Sequence, residues 1–164
     1  MRYVLLSIAI FSTACLDKSD TCFSDGDLDE GTATLSLDGD NYTYESTWMM
    51  TGSSLQLNLE DATSGSSLTI RLSQSDSGLG VDSLGEDFPY TFAIGVPANG
   101  TGTVYPPNAS TSAAISADNP GLFTLDFFDG STVTGCFELT AEAQDGTSYE
   151  VSSGLVYASE SELN

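Results

Sequence analysis

The chain contains no histidine in its 164 residues. That removes the side chain that titrates nearest neutral pH, the commonest general base and the commonest metal ligand. Bases are almost as scarce: Arg2, Lys18 and Arg71 face 24 Asp and Glu, for a formal charge of −21. Nucleic-acid binding draws on Lys and Arg to displace phosphate counterions, so no nucleic-acid partner is expected. Anionic membrane surfaces are disfavoured for the same reason. Long apolar runs are missing as well. The most apolar stretch, Val4 to Phe11, falls far short of the roughly 20 residues that a membrane-crossing helix needs.

What is present is an apolar content of 40%, which separates the chain from disordered acidic sequences despite its charge. The length is that of one domain, and about 125 residues between the ends bury roughly two-thirds of their unfolded surface, enough for an ordinary core. The acid excess reads first as a solvated, self-repelling surface that resists aggregation and suits a salty medium.

The amino terminus has its own pattern. Arg2 supplies a positive charge, Val4–Phe11 is apolar, and Ser12, Thr13 and Ala14 are small residues before Cys15. A basic start, a short hydrophobic stretch and a small-residue cut site describe a secretory signal peptide. Ser12-Thr13-Ala14-Cys15 resembles a lipobox, with Ser12 where Leu is commonest. The resemblance implies cleavage before Cys15, diacylglyceryl and palmitoyl modification of that cysteine, and a membrane partner reached through the lipid. Ser12-x-Ala14 also satisfies the rule for ordinary secretion, and the cysteine count separates the two. An exported protein with three cysteines has an odd one to explain. Acylation uses Cys15 and leaves Cys22 and Cys136 as an even pair for a disulfide in an oxidising compartment. Leu16 follows, where lipoproteins retained in the inner membrane often carry Asp, so the analogy points to the outer membrane. With Arg2 removed, two bases remain against 24 acids, a net charge of −22.

These features divide the chain into a signal peptide (1–14), a lipidated acidic tether (15–31), a β-domain (32–158) and a short polar tail (159–164). The tether is rich in Asp, Ser and Gly and is expected to be a flexible spacer. Asp25, Asp27 and Asp29 alternate as in a calcium loop, but Glu30 stands where Gly is required and Ser36 where the bidentate Glu belongs. No cofactor and no metal site are expected.

From Thr32 onward, apolar residues recur with period two, the mark of half-buried strands. Leu35 and Leu37 lead through Asp38-Gly39-Asp40 to Tyr42 and Tyr44; Asp-Gly between alternating segments is a strong hairpin signal. Leu55, Leu57 and Leu59 line the next strand, and Leu68, Ile70 and Leu72 line its return after Thr63–Ser66. A Gly- and Asp-rich loop runs from about 75 to 87, before Phe88, Tyr90, Phe92 and Ile94 resume the alternation. Short strands are expected near 103–105 and 113–116, between prolines. Three clearer strands follow: Phe123, Leu125 and Phe127; then Val133, Phe137, Leu139 and Ala141; then Tyr149, Val151, Leu155 and Tyr157. Asp129-Gly130 and Asp145-Gly146 turn between them. No helix of useful length is expected. About nine or ten short antiparallel strands imply an all-β sandwich or a flattened, lipocalin-like barrel. With Phe137 inward, the period puts Cys136 on the outer face, within reach of a tether cysteine.

The order of these parts resembles a family of small bacterial lipoprotein domains of unknown function. The resemblance rests on the opening strand, D-G turn and aromatic strand from Leu35 to Trp48, and on the closing elements Gly121–Asp129, Gly135-Cys-Phe-Glu-Leu139 and Gly154-Leu-Val156. It implies a fold and an envelope address, and brings no catalytic residue.

Tyr42, Tyr44 and Trp48, with Met49 and Met50 beside them, are the candidates for a ligand face, since aromatic side chains on a sheet stack on sugars or apolar ligands. The ordinary role of such residues is core, and that reading leads; the same applies to Tyr90 and Tyr105. Glu60-Asp61 and Glu86-Asp87 are the carboxylate pairs that a glycosidase-like site would need about 5–10 Å apart. In so acidic a chain, pairs arise by chance, and Ser and Thr lack a His to activate them. The sequence therefore reads as a non-catalytic, lipid-anchored envelope protein whose β-domain binds or builds, with a small-ligand barrel, a carbohydrate-active enzyme and a calcium-dependent adhesin as the alternatives.

Overall fold

The computed structural model describes residues 22–24, 26–73 and 88–161. The signal peptide, the lipobox and Cys15, Asp25, the 75–87 loop with Glu86-Asp87, and the last residues of the tail lie outside the described residues.

The domain is all-β, as its alternation predicts. Among the described residues, ten strands form one sheet: β1 (Thr32–Leu37), β2 (Asp40–Thr51), β3 (Ser54–Asp61), β4 (Ser66–Leu72), β5 (Tyr90–Ile94), β6 (Gly100–Tyr105), β7 (Ala113–Ala114), β8 (Gly121–Phe128), β9 (Thr132–Ala143) and β10 (Ser148–Glu160). Asp38 and Gly39 both have positive φ, 51° and 91°, which the two-residue hairpin between β1 and β2 requires. Asp38 also ties the hairpin tip to β10: its amide donates to the Glu150 carbonyl at 2.9 Å, and its Oδ1 accepts from the Glu150 amide at 2.8 Å.

The pairings close on themselves. β1 pairs with β2, then β2–β3–β4–β6–β7–β9 follow in order, and β9 pairs with β10, which returns to β1. β8 and β5 branch from the edge that β9 shares with β7. The sheet is thus barrel-like with a two-stranded flap. It is also mixed, where purely antiparallel strands were expected. β1 has six residues between neighbours of 12 and 13. Beyond its start β2 and β10 meet directly, and both are antiparallel to β1, so Ser159↔Thr47 and Glu160↔Trp48 pair in parallel. For that reason β10 runs two residues past the expected domain end at 158, into the expected tail.

Residues facing inward form one cluster that includes Leu55, Leu57, Leu59, Ile70, Phe123 and Val156, each fully buried. The flap contributes Phe92, Ile94 and Leu125 to the same cluster. Ile94 is admitted because β6 carries Gly100 and Gly102 opposite it, where a Cβ would stand 2.7 and 3.0 Å from its methyl groups.

Two irregularities shift the alternation. In β8, register slips between Leu125 and Phe127, so Asp126 faces the tether, buried against Phe23, and Phe127, expected beside Phe123 and Leu125, becomes exposed. In β10, register slips between Val151 and Gly154, where Ser153 has φ 52°. Beyond it Val156 and Ala158 point into the core, and Leu155 and Tyr157, expected there, lie on the outer side, half-buried. An extra residue in one strand reverses every later side chain, so both errors have the same cause.

Candidate functional site

The tether does not float free of the domain throughout. Cys22 is disulfide-bonded to Cys136 in the middle of β9, with Cα atoms 6.0 Å apart. Cys136 reaches it because it sits on the outer face, the buried Phe137 beside it pointing inward. On that face, Cys136 stands between Thr124 of β8 and Leu155 of β10.

Phe23 continues the clamp. Its backbone amide donates to Asp126 Oδ2 at 2.6 Å, and its ring meets the Tyr157 ring edge-on at 5.8 Å between centroids. Further along, the Ser24 amide donates to Asp27 Oδ2, the Gly31 amide to the Tyr157 carbonyl and the Ser46 amide to the Gly31 carbonyl, which delivers the chain into β1. A segment expected to be a flexible spacer is thus fastened to the sheet at Cys22, Phe23 and Gly31.

Asp126 is the unusual group here. It is 8% exposed, and its Oδ1 is buried with no hydrogen-bond donor in reach among the described residues. Burial pushes its carboxyl above the ordinary carboxylate range, and the amides of Phe23 and Cys22 pull part of the way back. It borders a depression of about 320 Å³ lined also by Phe23, Phe127, Thr134 and Tyr157. A second, of about 340 Å³, lies beside the disulfide, lined by Leu122, Thr124, Phe137 and Leu155 among others. Sequence reasoning passed over Asp126 and Phe23. Phe23 is the one aromatic residue of the tether, adjacent to its cysteine, and Asp126 interrupts an apolar run ending in two phenylalanines; both were visible.

The ligand-face candidates are elsewhere. Tyr44 is 3% exposed and its hydroxyl accepts from Ser66 Oγ at 3.1 Å, with burial raising its pKa. Trp48 is equally buried, donates from Nε1 to the Ser131 carbonyl at 3.0 Å, and meets the Phe128 ring edge-on at 5.1 Å. Tyr42 is half-buried, its ring 6.3 Å from that of Tyr44, and it borders a shallow depression with Thr34, Asn41 and Ser153. Tyr90 packs half-buried against Phe88, and Tyr105 is exposed. The three candidates share one strand and do not converge on the Cys22–Asp126 corner.

Of the carboxylate pairs that sequence reading singled out, Glu86-Asp87 lies outside the described residues and Asp61 of the other serves a turn. Asp61 accepts from the Thr63 amide at 2.8 Å and the Ser64 hydroxyl at 2.6 Å, which holds its carboxyl below the usual range. Asp129 and Asp145 do the same in the turns before β9 and β10, each with a lowered pKa set first by the backbone amides they bind. Among the described residues, no three of Cys, Asp and Glu converge as a metal-binding group.

Compared with known proteins, the chain matches no family model, no curated protein and no solved structure.

Proposed function

We propose that this chain is a lipid-anchored envelope protein, exported, cleaved before Cys15, acylated there and held at the outer membrane, with its β-domain acting as a non-catalytic binding or structural module. One observation carries the reading. The Cys22–Cys136 bond uses two of the three cysteines and leaves Cys15 as the sole thiol, set in a lipobox-like sequence. Structural disulfides persist where the surroundings are oxidising, which agrees with export. The resemblance to small bacterial lipoprotein domains belongs to the same proposal.

The chemistry of the domain agrees with a non-catalytic role. Histidine is absent, and Asp61, Asp129 and Asp145 are engaged by their own turns. Tyr44 and Trp48 have their polar atoms satisfied within the protein and their rings in the core, which favours structure over a small-ligand cavity at that strand.

The test is metabolic labelling with palmitate in the producing cells, comparing the natural chain with Cys15→Ala. Label on the natural chain alone, recovered with the membranes, is the expected result. An unlabelled chain free in the culture fluid would overturn the anchored reading.

A further inference from the structure

We infer that the outer face of β8, β9 and β10 around the Cys22–Cys136 bond is the surface this protein lays against the bilayer, seated at the headgroup boundary of zwitterionic phospholipid. The inference rests on acylation at Cys15.

The first argument is the length of the leash. Without the disulfide, the lipid would connect to the domain at Thr32, and the chain from 15 to 32 spans at most about 60 Å at roughly 3.5 Å per residue. The bond moves the point of attachment to Cys136. The stretch of chain between lipid and attachment point is then 15 to 22, whose covalent length is at most about 25 Å. A short leash fixed to the centre of a face, instead of to the start of β1, holds that face toward its anchor.

The second argument is what the face carries. Leu122 is 51% exposed and Phe127 45%, two of the three large apolar side chains this exposed among the described residues, and both belong to β8. Pairing places Leu122 opposite Glu138 and Phe127 opposite Thr134, on either side of the Thr124–Cys136 pair. Leu155 and Tyr157 extend the same face on β10. Apolar and amphipathic side chains of this kind gain by entering the interfacial region of a bilayer. In a chain with so large an acid excess, the two depressions here are bordered by only two carboxylates among the described residues, Asp126 and Glu138, and Asp126 is buried. A zwitterionic surface suits that composition, because it does not repel the remaining acids as an anionic one would.

The experiment uses the acylated full chain, incorporated into phosphatidylcholine vesicles with or without bromine on the acyl chains, which quenches nearby indole. Trp48 is kept so that the core is untouched, and its own signal is subtracted. One variant carries Leu122→Trp; the other carries Thr69→Trp on the outward side of β4, diametrically across the strand circuit from β10. The expected result is that the indole at 122 loses most of its emission in brominated vesicles while that at 69 keeps its own. In Cys22→Ser/Cys136→Ser, the loss at 122 shrinks although the protein still floats with the vesicles. Equal quenching at both positions, none at 122, or full quenching at 122 without the disulfide, in protein that floats, overturns the orientation and leaves the anchor standing. A chain that carries no acyl group and does not float overturns both.

Discussion

Phe23 donates its backbone amide to the carboxylate of Asp126 across 103 residues of sequence, and in doing so covers the acid it binds. The contact is local in space and remote in sequence, and it makes the tether part of the domain's electrostatics. Ionised Asp126 loses its water and gains the amides of Phe23 and Cys22, and the loss is the larger effect.

The sign of its pH dependence follows. The folded-state pKa of Asp126 is raised above its unfolded value, so the folded protein binds the extra proton more readily. Its contribution to stability is complete below the unfolded pKa and is lost as pH rises through the folded one. Melting temperatures of the natural chain and Asp126→Asn, measured from pH 7 down to pH 4, should show the natural chain gaining on the variant as pH falls. Parallel curves would remove the buried-acid account. The turn acids Asp61, Asp129 and Asp145 have lowered values and act in the opposite sense, losing stability as pH falls through them, but they are common to both proteins and cancel in the comparison.

Cross-linking residues 114 apart closes a loop that takes in almost the whole domain. In the chain-entropy account, such a loop is worth on the order of 4–5 kcal/mol. Urea midpoints of the oxidised natural chain and of Cys22→Ser/Cys136→Ser should differ by a comparable free energy, with the variant less stable.

Gly154 lies where β10 crosses the ring of Phe137, and a Cβ there would stand 2.5–2.6 Å from three of its ring carbons. Phe137 is itself buried, so the ring has little room to yield. Gly154→Ala should cost about 1–3 kcal/mol by overpacking. Gly130→Ala touches nothing within 4 Å and sits at φ 86°, so its cost would be that of backbone strain alone. Denaturation curves of the two variants separate packing from strain: a Gly154→Ala chain as stable as the natural one would refute the close approach.

Trp48 is the chain's single tryptophan and is 3% exposed, so its emission should be blue-shifted in the native protein and move red on unfolding. Trp48→Phe removes the donor to the Ser131 carbonyl and should cost about 1–3 kcal/mol, from the orphaned acceptor and lost packing together. Native emission already at the position of exposed indole would contradict the burial.

Much of the fold was legible because the period of two is a local property. Leu55, Leu57 and Leu59, or Leu68, Ile70 and Leu72, need only the next turn signal to be read as inward-facing, and all six are buried. The Asp-Gly turns were legible for the same reason. What local pattern does not carry is a change of phase. The slips at Asp126 and Ser153 each insert one residue, and nothing in Leu125-Asp-Phe127 or Val151-Ser-Ser-Gly154 announces that the next apolar residue faces outward. The parallel contact of β10 with β2 depends on the shortness of β1 between them, which is a property of three segments together. The disulfide was legible from parity and from the outward phase of Cys136; the clamp by Phe23 and Asp126 was not, because it exists only once the β8 slip has turned the acid toward the tether.

The position of β10 has a consequence for how the molecule is made. It hydrogen-bonds to β1, to β9 and to the far part of β2, and it comes last in chain order among the described strands. As the chain emerges, the earlier strands present two open edges to it, a short one on β1 and a long one on β9, each a template for mispairing with a neighbouring copy. A chain interrupted before Ser148 would keep those edges open indefinitely. The abundant negative charge then acts before the native state exists, keeping nascent copies apart until the final strand closes the ring.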